Sequence, residues 1–199
     1  MAVAILGMIS WANPGMAATQ GEEAEAFVRN LANNAVAMLD NQQQTESERE
    51  AEFRRMVREG FALETIGQFV VGRYWRQMTP EQQTEYQELF AEWMMKTYAG
   101  RLGGYHGQTL EVIKSVEAGS RDVFVRTTVT NANGRPPVAA DWRVRKFDTE
   151  YKIIDVVVEG VSMAAAQKAE FESVIRDTGV EGLIMSLRQR LAQLVANSG

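Results

Sequence analysis

The 199-residue chain has no cysteine and a single histidine, His106, and these two scarcities close most routes to covalent chemistry. Nucleophilic catalysis needs a thiol or hydroxyl activated by a nearby base, so a serine triad would have to be assembled around His106. A zinc site would have to be made almost wholly of carboxylates. No P-loop and no Gly-x-Gly-x-x-Gly fingerprint is present. Basic residues are scarce too: 21 Lys and Arg against 26 Asp and Glu leave a net charge of −5. A nucleic-acid partner demands a basic stripe, so that class is excluded. The apolar run Met1 to Trp11 is about half the roughly 20 residues a membrane-spanning helix requires.

That run is followed by Met16-Ala17-Ala18, small residues of the kind a leader peptidase accepts, so residues 1–18 are expected to be a signal peptide. No Lys or Arg precedes Arg29, which leaves open a start assigned too late or a plain disordered end. The absence of cysteine fits export without disulfides and fits the cytosol equally. Residues 19–199, with 45% hydrophobic and 24% charged residues, suffice for one compact domain.

Apolar residues at Phe27, Val28, Leu31, Ala35, Val36 and Leu39 follow a helical period, predicting an amphipathic helix over 22–40. Thr45-Glu46-Ser47-Glu48 has the form of a capping box and starts a second helix that Gly60 closes. The stretch Phe61 to Trp75 is too apolar for a one-faced helix and is expected to be a short buried helix bent near Gly67 and Gly72. Thr79-Pro80-Glu81-Gln82 starts a long helix to about Leu102. Four short strands are expected near 109–116, 121–131, 137–147 and 151–159, turning at Gly119-Ser120, Asn133-Gly134 and Asp148-Thr149. Two helices, Val161 to Asp177 and Val180 to Ala196, should follow, separated by Gly179. This order predicts an α+β fold with an antiparallel meander.

Alternation places Val123, Val125, Thr127 and Val129 on one face of the sheet, with Val138, Ala140, Trp142 and Val144 beside them. Arg126, Asp141, Arg143 and Arg145 fall on the other, wet face. The best case for an enzyme is Asp155, in the apolar strand Ile153-Ile154-Asp155-Val156, where desolvation would favour a general base. The alternative, preferred on parity, is that Asp155 faces the wet side and pairs with Arg143 or Arg145, as Asp141 could also do. Glu159 is expected to be solvated or to cap the following helix. For His106 the structural role of satisfying a backbone group is weighed against catalysis. The aromatic and methionine surplus reads either as core or as pocket wall.

Several motifs, in order, resemble one family. They are Val71-Gly72-Arg73-Tyr74-Trp75 before Thr79-Pro80; Tyr105-His106-Gly107-Gln108-Thr109; Asn133-Gly134-Arg135-Pro136-Pro137-Val138 followed by Asp141-Trp142; and Asp155 with Glu159-Gly160-Val161-Ser162-Met163. Over residues 50 to 190 the chain is similar to the MlaC family, also called toluene-tolerance or Ttg auxiliary proteins. The resemblance implies a four-stranded, NTF2-like antiparallel sheet packed with six to seven helices around an apolar cavity. It implies a monomeric periplasmic carrier of glycerophospholipid, with no cofactor and no enzymatic activity. Its partners would be an outer-membrane lipoprotein–porin complex and an inner-membrane ABC transporter with an MCE-domain ring, and its work would maintain the lipid asymmetry of the outer membrane. The expected cavity wall is Phe69, Tyr74, Trp75, Phe90, Trp93 and Met94 from helices, with Val125, Trp142 and Val144 from the sheet. The rival reading is an isomerase-like or hydrolase-like enzyme centred on Asp155 and His106.

Overall fold

The computed structural model describes residues 18–99, 107–130 and 135–196. His106, the Asn133-Gly134 turn and all but Ala18 of the expected signal peptide lie outside them. Helix α1 (Gln20–Asp40) opens on a capping box that the sequence reading missed: the Thr19 side chain accepts from the Glu22 amide, and Glu22 accepts from the Thr19 amide. Helix α2 (Glu46–Gly60) opens on the expected box of Thr45 and Glu48. Helix α3 (Leu63–Val71) is short and ends at Gly72, whose φ of +54° favours a residue without a Cβ. Gly67 is an ordinary helical residue within α3, so the expected bend falls at Gly72 alone. A 3₁₀ turn (Gly72–Gln77) then leads to α4 (Pro80–Ala99), where Thr79 and Gln82 form the expected reciprocal pair.

The sheet is an antiparallel meander of strands β1 (Thr109–Ala118), β2 (Asp122–Thr130), β3 (Val138–Phe147), β4 (Glu150–Val158) and β5 (Val161–Ser162), in spatial order. The expected four strands are therefore five. The fifth has two residues, too short to carry an alternation, and it forms because Glu159 and Gly160 both take positive φ and make a tight hairpin. Helix α5 (Met163–Ala196) runs through the two expected helical segments, with one non-helical residue, Gly179, at φ 75°.

Three apolar clusters hold the layers together. The N-terminal half of α1 lays Ala24 and Val28 on Val123, Val125, Val144 and Ile153 of the sheet. Helices α3, α4 and α5 bury Tyr86, Phe90 and Phe171 among Val70, Val71, Leu183 and Leu187. Helices α2 and α4 share Phe53, Val57 and Met95. Polar clips add direction. Arg54 of α2 grips Glu92 of α4 at 2.6 and 2.7 Å, which holds the Glu92 carboxyl below its ordinary value. Glu23 of α1 accepts from Tyr151 at 2.7 Å and Lys146 at 2.9 Å.

On the outer face of the sheet, Asp122 is 4% exposed and accepts from both Arg143 and Arg145 at distances down to 2.6 Å. Their hydrogen bonds, the Arg145 one foremost, hold its carboxyl below the ordinary value. Protonating Asp122 is thus harder in the folded chain than in the unfolded one. Its stabilising contribution is complete above the usual carboxyl value of about 3.9 and is lost as pH falls through the depressed one. Because the two arginines remain partly in water, we expect Asp122→Asn to cost about 2 kcal/mol at pH 7. Urea titrations at pH 7 and pH 3 should show that difference shrinking at the lower pH.

Candidate functional site

Between the helices and one end of the sheet lies an apolar cavity of about 890 Å³. Its position follows from how α1 crosses the sheet. The N-terminal half of α1 fills the inner face around Val123, Val125 and Val144, all fully buried. Farther along, α1 presents Ala32, Ala35 and Val36 to the cavity instead, and the small side chains leave space that the sheet does not fill. The opposite wall is Leu110 of β1, Val129 of β2, Trp142 of β3, and Ile154, Val156 and Val158 of β4. Helices α2, α3 and α4 close the sides with Phe53, Val57, Ile66, Val70, Phe90, Trp93 and Met94.

Four of the nine expected wall residues stand on the cavity: Phe90, Trp93, Met94 and Trp142. The other five do not, for separate reasons. Val125 and Val144 belong to the filled end of the sheet beneath α1. Phe69 is 47% exposed, one position off the face of α3 that carries Ile66 and Val70, and the Lys168 ammonium stands over its ring at 5.1 Å. Tyr74 and Trp75 follow the turn at Gly72 into the helical cluster, where Trp75 meets Tyr86 edge-on at 6.3 Å. The α1 residues on the wall were read from sequence only as a core stripe. Ala35 on that stripe, with Ala32 beside it, is the signal that could have marked an unfilled interior.

The wall is apolar, and a few polar ties hold it. Trp142 donates its indole N–H to Thr127 at 3.0 Å, and Thr127 donates to the Ala140 carbonyl at 2.8 Å. With both donors satisfied, an apolar ring can stand at the cavity without an orphaned N–H. The Tyr86 phenol donates to the Gly67 carbonyl at 2.9 Å, and burial pushes its ionisation up. Besides Trp93 and Trp142, the residues with polar side-chain atoms that line the cavity among those described are Tyr98, Gln108, Thr109, Asp155 and Gln167, and no Lys or Arg joins them.

Asp155 corrects the sequence reading. It is not paired with Arg143 or Arg145, which both turn to Asp122, while Asp141 pairs with Arg126 at 3.1 Å. Instead its carboxylate accepts from the Ser162 hydroxyl at 2.6 Å and from the Ala164 amide at 3.0 Å, so it fastens the start of α5. The register sets Asp155 directly across from Arg143, but that arginine is taken by Asp122 and the Asp155 carboxylate by Ser162 and Ala164; a bulge beside the pair leaves Ile153 and Ile154 both buried. Glu159 caps no helix; its carboxylate accepts from the Ala139 amide at 2.6 Å. With His106 outside the described residues and both Asp155 oxygens engaged, no base and nucleophile are seen to converge on the cavity among the described residues.

Comparison with known proteins agrees with this geometry. A family model described as MlaC protein matches residues 29–189. The intermembrane phospholipid transport system binding protein MlaC of Haemophilus influenzae is 28% identical over 134 residues, which is 66% of this chain. The match spans 63% of that relative's length, less than two thirds of it. A solved structure of the phospholipid-binding protein from Ralstonia solanacearum, in complex with a phospholipid, superposes with a TM-score of 0.75 at 32% identity. That match covers 86% of this chain and 98% of the other.

Proposed function

The chain belongs to the MlaC family, and from that premise we propose that it is a periplasmic carrier that takes the acyl chains of a glycerophospholipid into its cavity and performs no covalent chemistry. The observation that carries this reading is the cavity itself: about 890 Å³, large for a ligand site and walled almost entirely by aliphatic and aromatic side chains. Withdrawing an acyl chain from water is worth about 0.8 kcal/mol per methylene, so one chain of about 16 carbons contributes more than ~10 kcal/mol. Apolar walls alone can therefore retain such a ligand. The headgroup is then free to stay in solvent, and lipids with different headgroups become equivalent cargo.

A carrier needs to leave the membrane, and no described helix is long and apolar enough to cross one. The proposed route runs between an outer-membrane lipoprotein–porin complex and an inner-membrane ABC transporter with an MCE-domain ring, in the service of outer-membrane lipid asymmetry. Phe90, Trp93, Met94 and Trp142 are the proposed lipid contacts from the expected set, joined by Ala35 and Val36 of α1. Mass spectrometry of organic extracts from the purified protein tests the reading. Phospholipid in near-stoichiometric amount is the expected result. Repeated recovery of none, together with no uptake from phospholipid vesicles, would refute it.

A further inference from the structure

Phe69 faces solvent from a helix whose residues 66, 70 and 71 are buried, and what stands around its ring is positive charge. The Lys168 ammonium lies 5.1 Å from the ring centre. A Cβ at Gly72 would stand 2.8 Å from a Glu172 oxygen and 3.0 Å from the Lys168 Cε, so α5 brings both side chains onto the bend that follows Phe69. The chain then winds as a 3₁₀ turn, in which side chains three apart eclipse one another. Arg73 and Arg76 therefore project on one side, and both are exposed. Arg73 donates to the Tyr74 hydroxyl at 3.2 Å, but neither guanidinium forms an ion pair among the described residues. Of the nearby carboxylates, Glu172 sits 4.0 Å from Lys168, and Glu64 accepts from Gln68 at 3.3 Å.

Three cations and one carboxylate beside an aromatic ring make a positive spot on a chain whose net charge is −5. Beyond about 8 Å, physiological salt screens the acidic remainder of the surface, so a partner held against the spot feels the spot. Guanidinium groups suit phosphates, and an exposed phenyl ring gains only where an apolar layer lies beneath that charge. Four side chains fall well short of the roughly 20–30 residues a side that a specific protein interface uses. A bilayer asks for less: basic residues at its phosphates and an aromatic ring sunk to the acyl boundary. We propose that Phe69, Arg73, Arg76 and Lys168 form a docking surface for an anionic phospholipid bilayer. The patch adjoins the cavity without lining it: Val70 and Gln167, the chain neighbours of Phe69 and Lys168, stand on the wall, and none of the four does. The inference rests on the carrier reading, to which it adds the surface that meets a membrane.

Co-sedimentation of the full chain with sucrose-loaded vesicles, in about 0.1 M salt, is the test. The chain should pellet with phosphatidylglycerol vesicles and stay in solution with phosphatidylcholine vesicles, and about 1 M salt should release it. Each basic residue at an anionic leaflet strengthens partitioning about fivefold, so Arg73→Gln combined with Arg76→Gln should weaken it about twenty-fivefold. Phe69→Ser should weaken it about fivefold. These side chains are exposed and off the cavity wall, so the variants should melt close to the wild type and hold the same amount of phospholipid by mass spectrometry. Wild-type vesicle binding by the double arginine variant, or equal binding to both kinds of vesicle, would overturn the proposal. So would an unaltered chain that yields phospholipid on extraction yet ignores phosphatidylglycerol vesicles, a result that leaves the carrier reading standing and hands the patch to a protein partner. Vesicle binding by a chain that never holds phospholipid would instead sink the carrier reading and keep the docking surface.

Discussion

Ala35→Trp should empty the protein of lipid and leave the lipid-free fold at least as stable as before. Ala35 stands on the cavity wall midway along the part of α1 that leaves the sheet. In a close-packed interior, such an enlargement would force strained rotamers and cost about 1–3 kcal/mol. Here the added ring enters existing space and buries apolar surface, so the penalty should vanish or change sign. The ligand, by contrast, loses room. Excluding even three methylenes costs about 2.4 kcal/mol, which is roughly fiftyfold in affinity. Lipid counted by mass spectrometry, alongside thermal melts of delipidated protein, separates the two effects. A variant that melts well below the wild type would mean that this space is filled in the native molecule.

Phe171→Ala should be the most damaging single truncation. The ring is 1% exposed and meets Tyr86, Phe90 and Trp93, with centroids 6.5, 6.3 and 5.7 Å away. It is the one aromatic ring that α5 brings to the cluster joining α3, α4 and α5, and no smaller side chain can touch all three partners. Removing it should cost about 3–5 kcal/mol, a large share of the 5–15 kcal/mol by which domains are typically stable. Phe90 and Trp93 also face the cavity, so the loss should loosen that wall and weaken lipid retention. Urea unfolding should show a lowered midpoint with little change in slope. Bound lipid should restore part of the loss, since it stabilises only the folded form.

The elements that sequence revealed well are those decided locally. A threonine three residues ahead of Glu48 or Gln82 makes its hydrogen bonds within one turn, so the starts of α2 and α4 were legible. Thr19 and Glu22 carry the same pattern, but the apolar period of α1 begins only at Phe27, so the period alone does not locate that start. Strand ends came within a residue or two where turns such as Gly119 and Asp148 forced positive φ. What failed was decided at a distance. Asp122 is 21 and 23 residues from the arginines it joins, and parity alone offered them Asp141 and Asp155. Asp155 stands across the ladder from Arg143, yet its hydrogen bonds go forward along the chain to Ser162 and the start of α5. The site divided along the same line. Aromatic stripes on α4 marked Phe90, Trp93 and Met94, but which end of the sheet is filled depends on the angle at which α1 crosses it. No single strand carries that information.

Unfilled volume also has a mechanical meaning. Water is reluctant to enter an apolar chamber, so the vacant protein encloses space that its unfolded chain would not. Hydrostatic compression favours whichever state occupies less total volume. An interior bounded by Ala35, Val36, Trp142 and Val156 should therefore yield to pressure more readily without a ligand than with one, so that under the proposed function a bound lipid would also brace the fold.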